Sequence, residues 1–285
     1  ERPTISEIIH DFIFCFLTDI YKDSSYLKTE NCFVNILEKN IEFSENGCND
    51  SEALYTLGLL YLKGIFIEKN VMKAFDYFVL ASELNHPKAQ VEVGIIYSNG
   101  FGDIKQDFDS AILYFNLAAI QIYSYGFFYL GSIQFFENYQ QKDINVGIHY
   151  YELAANLNNS EALLNLGLLY LENKIIKQDV QKAIKCLTQA ANQGQVNAQY
   201  NLGILYIDGL GVVQDIGKGI HYLLLASKQR FIKARFKLGV IFFEGKIVQR
   251  DVNKAIDFLI FASNRNYLDA QYYLGCIYYE GKYVK

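Results

Sequence analysis

The chain has 285 residues, enough for one large or two ordinary domains, and 51% of them are hydrophobic, which excludes a disordered chain and supplies a sizeable core. Basic residues number 26 against 31 acidic ones, for a net charge of −5, and no Lys/Arg run could neutralise a row of phosphates, so nucleic acid is not an expected partner. Only 2 prolines and no tryptophan stand beside 23 tyrosines and 21 phenylalanines, which points to a mostly helical, aromatic-rich fold.

Residues 1–24 read as one helix. Thr4 and Glu7 make a capping box, and Ile5, Ile8, Ile9, Phe12 and Phe16 form an apolar stripe behind it. The stretch from Ile8 to Ile20 is interrupted by His10, Asp11 and Asp19 and is shorter than the roughly 20 residues of a membrane helix, so no membrane insertion is expected. Arg2-Pro3-Thr4 with Glu7-Ile8-Ile9 resembles the last helix of a protein kinase domain of the tyrosine-kinase-like group. That resemblance implies a kinase domain upstream. It brings no catalysis into this chain, which lacks the Gly-rich loop, the catalytic loop and the metal-binding motif, and Arg2 lacks the glutamate partner it has in that family. Residues 25–50 read as a linker and a capping helix, Asn31 to Phe43, closed by the turn Ser44-Glu45-Asn46-Gly47.

From residue 51 the sequence repeats. An apolar residue precedes glycine at Leu57-Gly58, Val93-Gly94, Leu130-Gly131, Leu166-Gly167, Leu202-Gly203, Leu238-Gly239 and Leu274-Gly275, a period of 36 with a single step of 37. Five residues before each glycine stands a small residue (Ala53, Ala89, Gly126, Ala162, Ala198, Ala234, Ala270), and three after it Tyr61, Tyr97, Gln134, Tyr170, Tyr206, Phe242 or Tyr278. These positions share one stripe of a first helix, A, on which the glycine admits a close neighbour and the ring fills the adjoining gap. Gly/Asn-rich loops end helix A. Asn70, Asp107, Asp143, Asp179, Asp215 and Asp251 are placed to cap a second helix, B, a contribution of about 1 kcal/mol each. Helix B carries small residues at Ala81, Ala118, Ala154, Ala190, Ala226 and Ala262, where the next pair must pack tightly.

This unit resembles the Sel-one-like repeat, a relative of the tetratricopeptide repeat, over residues 51–285, as six complete copies plus helix A of a seventh. The third copy departs most: Gly126 and Gln134 replace Ala and Tyr, and Asn138 replaces the loop glycine, so its packing is expected to differ. The resemblance implies an all-α fold, a right-handed α-solenoid superhelix of antiparallel helix pairs, and a scaffold that binds protein or peptide. The sequence ends inside a repeat, so further solenoid and end-to-end self-association through that end are expected.

No catalytic chemistry emerges. The histidines His10, His86, His149 and His221 have no metal spacing, and Gly211 to Gly219 fails as a phosphate loop, with five residues where four are needed and Gly219 at the magnesium-binding hydroxyl position. No cofactor, metal or catalytic residue is assigned. The five cysteines are odd in number, widely spaced and never CxxC, which fits a reducing, cytoplasmic setting. Sequons at Asn49 and Asn158 keep the endoplasmic reticulum lumen as an alternative.

In tetratricopeptide-like solenoids helix A lines the concave face. The positions three before and four after the glycine are therefore the candidate contacts: Tyr55, Leu62, Phe128, Phe135, Leu164, Tyr200, Ile207, Phe236, Phe243, Tyr272 and Tyr279. Two readings of this row stand, a hydrophobic peptide groove or core packed by tight curvature. The function expected is a non-catalytic interaction scaffold, as the repeat arm of a signalling kinase or, alternatively, as a substrate-recruiting adaptor in endoplasmic-reticulum-associated degradation.

Overall fold

The structure, a computed structural model, describes residues 50–65, 67–172 and 175–279. The kinase-like segment and the 31–43 helix lie outside them. Among the described residues the regular elements are thirteen α-helices. The chain forms two compact units, Glu1–Leu157 and Asn158–Lys285. The first unit holds three helix pairs: α1 (Ser51–Lys63) with α2 (Val71–Glu83), α3 (Pro87–Asn99) with α4 (Phe108–Ile120), and α5 (Ser124–Ile133) with α6 (Ile144–Asn156). The second holds α7 (Ser160–Glu172) with α8 (Val180–Asn192), α9 (Val196–Asp208) with α10 (Ile216–Lys228), α11 (Ile232–Glu244) with α12 (Val252–Ser263), and α13 (Leu268–Tyr279). The odd-numbered helices are the A helices.

The helices begin where the capping residues stand. Asn70, Asp107, Asp143, Asp179, Asp215 and Asp251 each accept a hydrogen bond from a first-turn N–H, for instance Lys218 N to Asp215 Oδ1 at 2.9 Å. Five of the six A-to-B loops are closed by one bond from the capping residue's own N–H to a backbone carbonyl near the end of helix A, as in Asn70 to Tyr61 (3.0 Å) and Asp215 to Tyr206 (2.9 Å). Each B-to-A loop has one residue at positive φ: Asn85, Ile122, Asn158, Gly194, Arg230 and Asn266.

Pair packing depends on the missing side chain of the periodic glycine. A methyl group on Gly58 or Gly94 would collide with the ring of Phe78 or Phe115. On Gly167, Gly203 and Gly239 it would sit 2.7–2.8 Å from Leu187, Leu223 and Leu259. These B-helix residues are fully buried, as are the six B-helix alanines. Gly219 is explained the same way, since a Cβ there would lie 2.8 Å from Gly203 O, so it is a packing glycine on helix B.

The third repeat is built differently. Helix α5 has 10 residues where the other helices have 12 or 13. The early stop removes the carbonyl that closes the loop elsewhere, and Gln134 Oε1 accepts instead from Asp143 N at 2.8 Å. The chain then buries Tyr139, its ring centroid 5.4 Å from that of Phe108, and lays the exposed ring of Phe136 5.7 Å from the same ring. Asn138, in place of the loop glycine, donates to Gln106 Oε1 at 2.6 Å.

Adjacent pairs are joined by a polar device. The residue after the A-helix alanine reaches back to the end of the preceding B helix: Gln90 to Ser82 O (3.4 Å), Gln199 to Ala191 O (3.2 Å), Arg235 to Ser227 O (3.2 Å) and Gln271 to Ser263 O (3.4 Å). A second amide then clamps the first, as Gln121 Nε2 donates to Gln90 Oε1 (2.9 Å) and Gln229 Nε2 to Gln199 Oε1 (3.0 Å). Gln90 is 1% exposed, so the bonds replace water it has lost.

Candidate functional site

The candidate row on the A helices falls into three environments. Leu164 and Ile207 are buried. Tyr55, Leu62, Phe128, Phe135, Tyr200, Phe236 and Phe243 are half-buried. Tyr272 and Tyr279 on α13 are open to solvent, 71% and 94% exposed.

The half-buried members pack one side against the core. Tyr55 and Leu62 lie on the cluster around Tyr61 and Phe78, Tyr200 on that around Leu223 and Leu238, and Phe236 and Phe243 on that around Leu259 and Leu274. Phe128 and Phe135 flank Tyr151, with centroids 5.7 and 5.4 Å away and the Phe135 ring nearly parallel. Each of these rings seals a helix pair on one side and keeps part of its surface exposed on the other.

One member of this surface was missed from sequence. Glu92 of α3, two residues before Gly94, shares its surroundings with Tyr55 and Tyr123. Burial pushes the Glu92 carboxyl above the usual carboxylate range, and Lys63 partly counters this. Burial also pushes up the Tyr55 phenol, with the Glu92 charge as the next cause. No hydrogen-bond donor among the described residues reaches this carboxylate. In the second unit the equivalent positions in the repeat are Tyr200, Lys237 and Tyr267, with a charged residue of opposite sign in place of Glu92. Burial followed by the nearby Tyr267 raises the Tyr200 phenol there. The signal in sequence was a charged residue inside an otherwise apolar helical face.

The positions three after the glycine serve a different purpose. Tyr61, Tyr206 and Phe242 stack on a ring of helix B (Tyr77, Tyr222, Phe258) at 5.7–6.1 Å. A lysine from the first turn of helix B lies over the same rings: Lys73 at 4.9 Å, Lys218 at 4.2 Å and Lys254 at 5.5 Å. Lys218 also donates to Tyr206 Oη at 2.7 Å, which raises its pKa.

Of the histidines, His86 caps α3: its Nδ1 accepts from Ala89 N at 3.2 Å, and its Nε2 lies 2.8 Å from Glu52 Oε2. His149 and His221 are exposed. Among the described residues no three His, Cys, Asp or Glu side chains come together as a metal site, and no helix is long and apolar enough to cross a membrane.

A stack of glycine-notched helix pairs with aromatic rows on its A helices is a repeat solenoid. The chain belongs to the Sel1 repeat family, whose model matches residues 51–86, 87–123, 124–159, 160–195, 196–231, 232–267 and 268–285. No curated protein matches it in sequence. Among solved structures it is similar to a Sel1 repeat protein from Oxalobacter formigenes (TM-score 0.71, 25% identity, covering 84% of this chain and 99% of that one). It is also similar to c5321, a protective antigen of uropathogenic Escherichia coli with an SLR fold (TM-score 0.67, 21% identity), spanning 97% of this chain and 60% of that one. The immunity protein PA5088 from Pseudomonas aeruginosa shares the fold over 75% of this chain and 80% of its own (TM-score 0.58, 21% identity).

Proposed function

We propose that this chain is a non-catalytic scaffold that captures a peptide segment of a protein partner on the A-helix face. In the first unit the contacts are Tyr55, Leu62, Phe128 and Phe135, with Glu92 as the charged anchor. In the second they are Tyr200, Phe236, Phe243, Tyr272 and Tyr279, with Leu164 and Ile207 behind them as support. The observation that carries this reading is Glu92: a carboxylate held in a half-buried, tyrosine-lined position without a donor gains most from a lysine or arginine brought by a ligand.

Selection from a random-peptide phage library tests it. Enriched peptides should pair an aromatic or large aliphatic residue with Lys or Arg, and Glu92→Lys should abolish their binding while the helical circular dichroism signal is kept. Peptides that bind the Glu92→Lys and Tyr55→Ala variants as well as the parent would overturn the reading. The narrower role as the arm of a signalling kinase is carried by Arg2, Pro3, Thr4 and Glu7 alone, and is tested by phosphotransfer to a generic substrate by the full gene product. The alternative role in endoplasmic-reticulum-associated degradation is favoured by the exposed sequon at Asn158, and is tested by glycosidase sensitivity of the protein purified from a eukaryotic host.

A further inference from the structure

At one junction in the second unit the amide clamp between helix pairs is replaced by two arginines. The residue after the A-helix alanine is Gln90, Gln199 or Arg235, and the residue 30 or 31 positions later, at the end of the following B helix, is Gln121, Gln229 or Arg265. Two glutamines satisfy one another there, whereas two guanidiniums repel. Their contact is relieved by an inserted ring: the Arg235 Cζ lies 3.4 Å and the Arg265 Cζ 3.6 Å from the Phe261 ring centroid. At such distances each carbon must sit almost over the centroid, so the two occupy opposite faces. Arg230, at the positive-φ position of the preceding loop, adds a third charge to the field at Arg235, whose guanidinium pKa is lowered by burial and then by Arg265 and Arg230.

No carboxylate among the described residues pairs with any of the three, although the chain as a whole is acidic, at −5. Each stacked guanidinium spends one N–H on the protein, Arg235 Nε on Ser227 O (3.2 Å) and Arg265 Nη1 on Phe261 O (3.4 Å). Among the described residues the remaining donors have no protein acceptor. Arg265 and Arg230 are exposed and Arg235 half-buried, so the edge is open from solvent.

We infer that Arg235, Phe261, Arg265 and Arg230 form a docking edge for an acidic extended peptide of a protein partner, with one carboxylate on each stacked guanidinium. Across the ring the guanidinium carbons stand about 7 Å apart, matching the roughly 6.8 Å between alternate side chains of an extended strand. The required ligand is therefore an acidic-x-acidic segment, with the residues on either side free to face Arg230. This edge is separate from the Glu92 surface and prefers the opposite charge.

The test uses the intact chain and three fluorescein-labelled synthetic hexapeptides: one with Glu at alternate positions, one with the two Glu adjacent, and one with Lys in place of Glu. The alternating peptide should bind at least tenfold more tightly than either of the others, and more weakly as salt is raised. Arg235→Gln with Arg265→Gln restores the clamp found at the other two junctions, so it should fold with an equal or higher melting temperature and lose binding at least tenfold; Arg265→Gln alone, at an exposed site, should lose severalfold. Unchanged affinity in either folded variant, or no preference for the alternating spacing, overturns the proposal. So does tighter capture of a phosphoserine version or of a single-stranded oligonucleotide than of the carboxylate peptide.

Discussion

The third and fifth repeats carry the same plan and close it by different means. In the fifth, α9 runs its full 13 residues, Ala198 is buried, Tyr206 O receives the closing bond from Asp215, and Lys218 covers the Tyr206 ring. In the third, α5 stops early, a side-chain oxygen of Gln134 replaces the carbonyl, Gly126 replaces the alanine, and Val146 occupies the lysine position. A repeat can lose most of its signature residues and keep its place in the stack, provided each lost contact has a substitute of the same physical kind.

The sharpest way to break that comparison is to restore the missing alanine. A Cβ on Gly126 would lie 2.6 Å from Ala119 N and 2.8 Å from Phe115 O, backbone atoms that cannot turn aside. Gly126→Ala should therefore cost about 3 kcal/mol in urea unfolding, although every other repeat has alanine there, whereas Ala198→Gly should cost only about 1 kcal/mol. Gln134→Leu leaves the Asp143 N–H without its acceptor and should cost about 2 kcal/mol, seen as faster hydrogen exchange across α5 and α6; Gln134→Glu, which keeps an acceptor, should lose less.

Glu92 supplies a pH-dependent test of the first unit. Its folded-state pKa is raised, so its contribution to stability is full below the ordinary value of 4.5 and is lost as pH climbs through the raised value. Glu92→Gln should stabilise the fold at pH 7 by on the order of 1 kcal/mol, read as a higher melting temperature, and leave the melting temperature unchanged at pH 4. Ile122 holds φ at 59°, costly for a β-branched residue, and is 69% exposed, so Ile122→Gly should stabilise by about 0.5 kcal/mol. Lys218→Ala should lose only about 0.5 kcal/mol or less in the same assay, because its contact with Tyr206 is open to water. The equivalent Val146→Ala change should be neutral, since no ring stands opposite.

Much of this molecule is written locally. The period is legible because the glycine, the small residues and the capping Asp or Asn each answer to a nearest neighbour at a fixed separation, and that separation is a spacing in sequence. The Asp215 cap and the close approach at Gly203 could be read in this way before any coordinates, though not that Leu223 is the side chain that fills the notch. Gln134 could not, since in sequence it is only a departure from tyrosine, and its value as an acceptor depends on where α5 ends.

Sequence by itself determined the helix pairs, their order, their caps and the close approach within each pair. Tertiary structure alone decided which rings of the A-helix row keep an open edge, that the Glu92 charge acts on both Tyr55 and Tyr123, and that Arg235 and Arg265 meet across Phe261. The reason is that a repeat fixes backbone positions, while burial and charge are summed over side chains from neighbouring repeats, and those side chains are where the copies differ.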